Sequence, residues 1–173
     1  MSNLVAEVIK MFKERIENRG SDNDKMIRVV IVDEDSTLLK VWEKVFQMMH
    51  ECNYCITNDP KMAEMLAREH KVDLLISEIV MENGNGFDLA TVIHKTNPEA
   101  DILLTTTYNC DLKRFNLEDP HFHILYKPYQ KMDDVIKFVS DIVHKKDPRR
   151  DATIDEDSWS ENESYPTVME WKL

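Results

Sequence analysis

Hydrophobic positions along the chain fall into short apolar runs of strand length and longer stretches with helical spacing, in alternation. Ile27 to Val32 is apolar apart from Arg28 and predicts a strand that runs straight into Asp33, Glu34 and Asp35. Leu38, Trp42, Val45 and Met49 then share one helical face, with Leu39 and Phe46 beside them and Asp35 or Ser36 as the cap. Tyr54 to Thr57 predicts a second strand, and Asp59 followed by Pro60 opens a helix whose apolar side is Met62, Met65 and Leu66. Leu74 to Ile76 reads as a central strand buried on both faces, ending on the acid Glu78. Gly84 and Gly86 follow at once, the only glycines after Gly20. Phe87 to Lys95 predicts a helix with Leu89, Val92 and Ile93 inward, closed by Pro98. Ile102 to Thr107 is a fourth strand ending in Thr105, Thr106 and Thr107, and Asn109 to Leu117 a short helix broken by Asp119-Pro120. Phe122 to Tyr126 is a fifth strand ending in Lys127-Pro128, and a last helix from Lys131 to His144 carries the stripe Met132, Val135, Ile136, Val139, Ile142 and Val143.

Five strands alternating with five helices predict an α/β domain with a doubly wound parallel sheet, because right-handed crossovers place helices on both faces. In such a sheet the functional crevice lies at the carboxyl ends of the strands, where Asp33, Glu34 and Glu78 fall. The domain runs from residue 26 to residue 146. Residues 1 to 25 form an amphipathic helix, Asn3 to Asn18, with Val5, Ile9, Phe12 and Ile16 as its seam, and a polar linker from Arg19 to Lys25. That seam is too short for a coiled coil alone, so it packs on its own domain or on a second copy, which leaves a homodimer open. Residues 147 to 173 form a tail in which Asp151, Asp155, Glu156, Asp157, Glu161, Glu163 and Glu170 face one Lys172. Its composition predicts disorder, while Trp159, Tyr165, Val168, Met169 and Trp171 leave room for a docking peptide.

The net charge of −11 argues against nucleic acid as a partner, since phosphate backbones are bound by clustered Lys and Arg. No apolar run is long enough to cross a bilayer and no secretory leader opens the chain, so a cytoplasmic protein is expected. Three cysteines, Cys52, Cys55 and Cys110, fit reduced thiols better than a disulfide scaffold. His50, Cys52 and Cys55 would give a zinc or redox site only with a further ligand set that the neighbourhood lacks.

The strand ends together carry a resemblance. Val29-Val-Ile-Val-Asp33-Glu34-Asp35-Ser36, Asp73-Leu-Leu-Ile-Ser-Glu78 through Gly86, Ile102-Leu-Leu-Thr-Thr106 and Leu125-Tyr-Lys127-Pro128 resemble the successive motifs of a CheY-like response-regulator receiver domain, over Met26 to Lys146. The resemblance implies a flavodoxin-like sheet of strand order 2-1-3-4-5, with Asp33 and Glu34 as metal-binding acids, Glu78 as a further acid of the Mg²⁺ site and Val80 offering a backbone carbonyl to the ion. It also implies Thr106 as the switch hydroxyl and Lys127 as the lysine that meets the phosphoryl group. Mg²⁺ takes hard oxygen ligands and offsets phosphate charge, which is why such a site needs acids beside a lysine.

Three positions depart from that pattern. Glu78 stands where the family has its phosphoacceptor aspartate, and one more methylene moves the carboxylate by about 1.5 Å. A misplacement on that scale slows a transfer step by about a hundredfold. Glu78 would instead supply permanent charge, one unit where a phosphoryl group carries about −1.5 to −2. Glu82 replaces a customary proline, and Ile124 occupies the place of the aromatic that couples to the switch hydroxyl. These changes imply a pseudo-receiver, not an enzyme, that acts by protein contact in a two-component type pathway. Its partner would be a histidine kinase, a phosphotransfer protein or a downstream effector. Phe115, Ile124, Tyr126, Val135 and Val139 mark the expected partner surface, and output by contact without an effector domain is expected because the residues after Lys146 are too few and too acidic for a helix-turn-helix. The alternative is a working receiver that accepts a phosphoryl group from a histidine kinase or phosphotransfer protein.

Overall fold

A computed structural model describes residues 26 to 107, 119 to 146 and 168 to 169. Eight strands and four helices lie among them: β1 (Ile27–Val32), α1 (Ser36–Met48), β2 (Cys52–Thr57), α2 (Pro60–Glu69), β3 (Leu74–Glu78), β4 (Val80–Met81), β5 (Gly84–Asn85), α3 (Gly86–Thr96), β6 (Asp101–Thr106), β7 (Phe122–Tyr126), α4 (Met132–Lys146) and β8 (Val168–Met169). The expected N-terminal helix, the short helix from Asn109 to Leu117, Phe115, and the tail apart from β8 lie outside the described residues.

The main sheet is parallel with the order β2-β1-β3-β6-β7-β8. Its five long strands therefore stand in the flavodoxin-like order expected from the strand-end motifs. Strand alternation divides the core in two. Ile27, Val29, Ile31, Leu74, Ile76, Leu103 and Leu125 meet Trp42 and Phe46 of α1 and Phe138 and Val139 of α4 on one face. Val30, Val32, Leu75, Ile102, Leu104 and Ile124 meet Ala63 and Ala67 of α2 and Leu89, Ala90 and Ile93 of α3 on the other.

Helix starts follow from short acids and amides. Asp35 caps α1 by accepting from the amides of Thr37 (2.8 Å) and Leu38 (3.3 Å), which hold its carboxyl below the usual carboxylate range. Asp59 caps α2 ahead of Pro60, and Asn85 caps α3. The helix α4 begins with Asp133 and Asp134 and ends with His144, Lys145 and Lys146, the charge order that its dipole favours.

Two elements go beyond the expected pattern. Between β3 and α3, Val80–Met81 and Gly84–Asn85 pair as a small antiparallel hairpin. At the far edge, β8 adds a sixth parallel strand, with Ile124 beside Val168 and Leu125 beside Met169. Strand β2 also starts at Cys52, two residues before the expected Tyr54. Cys52 and Cys55 are both buried there, and three residues apart on a strand they point to opposite faces. That placement separates the two thiols instead of pairing them around an ion.

The expected partner surface needs correction. Ile124, Val135 and Val139 are almost fully buried, because the apolar stripe of α4 packs on the sheet and Ile124 faces α2 and α3. Their side chains hold the core together and are closed to a partner; Tyr126 is half-buried.

Candidate functional site

The carboxyl ends of β1, β3, β6 and β7 meet in one acidic pocket. Asp33 leaves β1 buried, and its Oδ1 accepts from the amide of Asp35 at 2.9 Å. Glu78 is the last residue of β3 and is also buried; its Oε1 accepts from the amide of Ile79 at 3.0 Å. Lys127 follows β7 and reaches back between them. Its Nζ donates to Asp33 Oδ2 and to Glu78 Oε2, both at 2.6 Å. Desolvation alone would lower the lysine's pKa, but the hydrogen bonds and charges of Asp33 and Glu78 outweigh it and raise it above the ordinary value.

The backbone around these groups is fixed by close contacts. Lys127 N donates to Thr106 O at 2.7 Å, and Ile79 N donates to Thr105 O at 2.8 Å, so the ends of β3, β6 and β7 are tied together. Ser77 Oγ donates to the carbonyl of Glu78 at 2.9 Å. Gly86 lies against that same carbonyl, and its amide donates to Ile79 O at 2.9 Å; a Cβ at this position would collide with the Glu78 backbone. The glycine is therefore required by close approach, and it lets α3 begin directly beside the strand end that carries Glu78.

The residues expected to line the pocket each have a definite place. Asp33, Glu78 and Lys127 converge. Glu34 does not join them: it is exposed and its Oε1 accepts from the amide of Glu82 at 2.5 Å. Val80 sits in the hairpin paired with Asn85, its side chain 51% exposed. Thr106 is fully buried at the end of β6, one residue past the register partner of Glu78, which is Thr105.

Two further hydroxyls lie at this site, one of them, on Tyr129, not singled out in the sequence. Thr105 Oγ1 and Tyr129 OH are buried neighbours on the side lined by α1 and α4. Burial drives the Tyr129 phenol well above its ordinary pKa against the lowering effect of the Thr105 hydroxyl, and the charges of Asp33 and Glu78 add to the rise, so it is a neutral O–H at every physiological pH. Its only signal in the sequence is its position two residues after Lys127.

The donor set has the hard oxygens that suit Mg²⁺, but their placement does not fit the ion. One oxygen each of Asp33 and Glu78 is held by Lys127 and the other by a backbone amide, while Glu34 is turned to the hairpin. No group of three acidic, histidine or cysteine side chains among the described residues could hold a metal ion. The cationic partner of these acids is the lysine.

Residues 29 to 139 match the family model of the response regulator receiver domain. The chain belongs to that family. The receiver fold is also shared with solved structures of low sequence identity. The CheY-like receiver domain protein of Methanospirillum hungatei is 17% identical, with a TM-score of 0.60 over 70% of this chain and 96% of that one. The signal receiver domain of an HD domain-containing protein from Pseudomonas fluorescens is 21% identical, with a TM-score of 0.57 over 70% of this chain and 90% of that one. The BeF₃-activated DrrB receiver domain is 18% identical, with a TM-score of 0.56 over 69% and 98%. No curated protein matches the chain. Receiver domains are signalling modules of two-component systems and generally not enzymes, which sets the class of this chain. Among the described residues of this receiver, no helix is long and apolar enough to cross a membrane.

Proposed function

We propose that this receiver signals by protein contact without the usual aspartyl phosphorylation, its pocket held in one state by the Lys127 bridge. The observation that carries the reading is the pair of 2.6 Å contacts from Lys127 Nζ to Asp33 and to Glu78. The longer acid meets the lysine and also folds its second oxygen onto the amide of Ile79. A carboxylate engaged on both oxygens is a poor nucleophile, and the space beside it is filled by its own cation. Glu78 thus supplies to Lys127 the negative charge that a phosphoryl group would otherwise bring.

The partner is a histidine kinase, a phosphotransfer protein or a downstream effector. Contact by surface rather than by chemistry fits a chain whose pocket acids are already held by its own lysine.

Intact-protein mass after incubation with acetyl phosphate and Mg²⁺ tests this. Wild type gains no phosphoryl group. Glu78→Asp, which withdraws the carboxylate from Lys127, is measured alongside, and a gain there assigns the loss of function to one methylene. A phosphoryl adduct on wild type overturns the proposal and establishes the second reading, a receiver that accepts phosphate with its pocket acids. That reading draws its support from the convergence of Asp33 and Lys127 on position 78.

A further inference from the structure

The strand β7 would be the open edge of the sheet if β8 were absent. Its alternate residues turn their backbone groups to β6: His121 O accepts from Ile102 N, and Lys127 N donates to Thr106 O, each at 2.7 Å. Strand geometry then directs the backbone N–H and C=O groups of Ile124 and Tyr126 away from β6, toward the edge. Exposed edges of this kind recruit other strands unless something covers them. Here Val168 pairs with Ile124 and Met169 with Leu125, in parallel.

We propose that the C-terminal segment around Val168 and Met169 is an intramolecular cap on the edge of β7, which a partner adding its own strand there must displace. The topology favours the chain's own segment as the occupant. Helix α4 returns the chain to the amino end of the sheet, where Lys146 Nζ bonds Asp101 Oδ2 at 2.8 Å and the carbonyl of Glu99, at the start of β6. A strand parallel to β7 starts from that same end. β7, α4 and β8 thus form an ordinary parallel crossover unit within one chain. Residues 147 to 167 provide far more length than the step requires.

Two paired residues make a weak strand, and tethering holds it in place through an effective concentration of about millimolar. The same weakness makes it displaceable. A longer strand from a partner offers more backbone pairs to Ile124 and Tyr126 than β8 does. The cap is independent of whether Glu78 takes a phosphoryl group.

Backbone alternation names the residue to change. In a parallel pair the residue facing Ile124 and Tyr126 is Met169, whose N–H and C=O lie between them. Met169→Pro removes that N–H in the tail, outside the core and the pocket. Amide hydrogen exchange is followed residue by residue on the full chain, wild type against variant. The cap predicts slow exchange at Tyr126, whose N–H faces the Met169 carbonyl, in wild type and exchange about tenfold faster or more in Met169→Pro, which also removes the N–H facing the Ile124 carbonyl. Leu125 and Lys127, bonded to β6, keep their rates. Fast exchange at Tyr126 in wild type overturns the proposal, as does protection there that Met169→Pro leaves intact. Protection that fades on dilution assigns the strand to a second copy and overturns the intramolecular cap.

Discussion

Two buried ionic clusters sit at opposite ends of this sheet, and they are built in opposite proportions. At the carboxyl end two acids, Asp33 and Glu78, share one ammonium, Lys127. At the amino end one acid, Asp101, meets Lys146 at 2.8 Å, the Nδ1 of His121 at 3.2 Å and the Nε2 of His123 at 3.5 Å. The first is short of positive charge and depends on a single side chain. The second has more donors than it needs and ties the end of α4 to the start of β6. The acid-rich end is therefore the one where a lost lysine changes the state of the protein, and the base-rich end is a clamp.

The largest effect expected is from Lys127→Met, which leaves two buried carboxylates without a cation. Loss of one partner from such a buried arrangement costs about 3–5 kcal/mol, read as a fall in the urea midpoint at constant slope. Lys146→Met tests the contrast. Asp101 keeps two imidazole neighbours, so the loss is smaller, about 1–3 kcal/mol, the range for a buried acceptor that loses one donor. Equal losses from the two variants would abolish the distinction between site and clamp.

The two clusters also differ in their pH response. Burial pushes the Asp101 carboxyl up, but hydrogen bonds from His123, Lys146 and His121 outweigh it and hold it below its ordinary value of 3.8. A native pKa below the unfolded one gives stability that is present above the unfolded value and fades as pH falls through the native one. Asp101→Asn should flatten the acid limb of the stability curve. Lys127 has the opposite sign. Its native pKa lies above the ordinary 10.5, so its contribution is whole below that value and is lost as pH rises through the native one. The carboxyl end should therefore weaken on the alkaline side and the amino end on the acid side, as urea midpoints across pH would record.

The smallest effect expected is at Glu82. It is the first residue of the two-residue hairpin loop and has negative φ, a place that proline suits. Glu82→Pro keeps the turn but removes the amide that holds Glu34, at a cost of about 0.5–1.5 kcal/mol. Thermal melts beside wild type would show it, and the Lys127 bridge should be undisturbed.

Most of the fold was legible because its signals are local. The run from Ile27 to Val32 ends in acids, Asp59-Pro60 caps a helix, and Phe122 to Tyr126 ends at Lys127-Pro128, each within a few residues. The hairpin of β4 and β5 escaped because two-residue strands have no period to detect. The start of β2 escaped because Asn53 is a weak strand former and interrupts the apolar run. The stripe of α4 was legible as apolar, but a stripe alone does not say whether the sheet or a partner covers it; the sheet does. At the site, the strand ends named Asp33, Glu78 and Lys127, while the inward turn of both acids onto one lysine is a matter of rotamers. The Asp101 cluster joins residues from β6, β7 and α4 that no spacing connects.

The central claim is that Lys127, held between Asp33 and Glu78, already fills the pocket. Its most direct test is the amide NMR spectrum of the wild-type chain on addition of Mg²⁺ and then of beryllofluoride, a mimic of the phosphoryl group. The bridge predicts that the amides of Asp33, Asp35, Ile79, Thr106 and Lys127 stay where they are. Saturable shifts of those amides would show that the pocket opens to an ion and a phosphoryl mimic, and would contradict it.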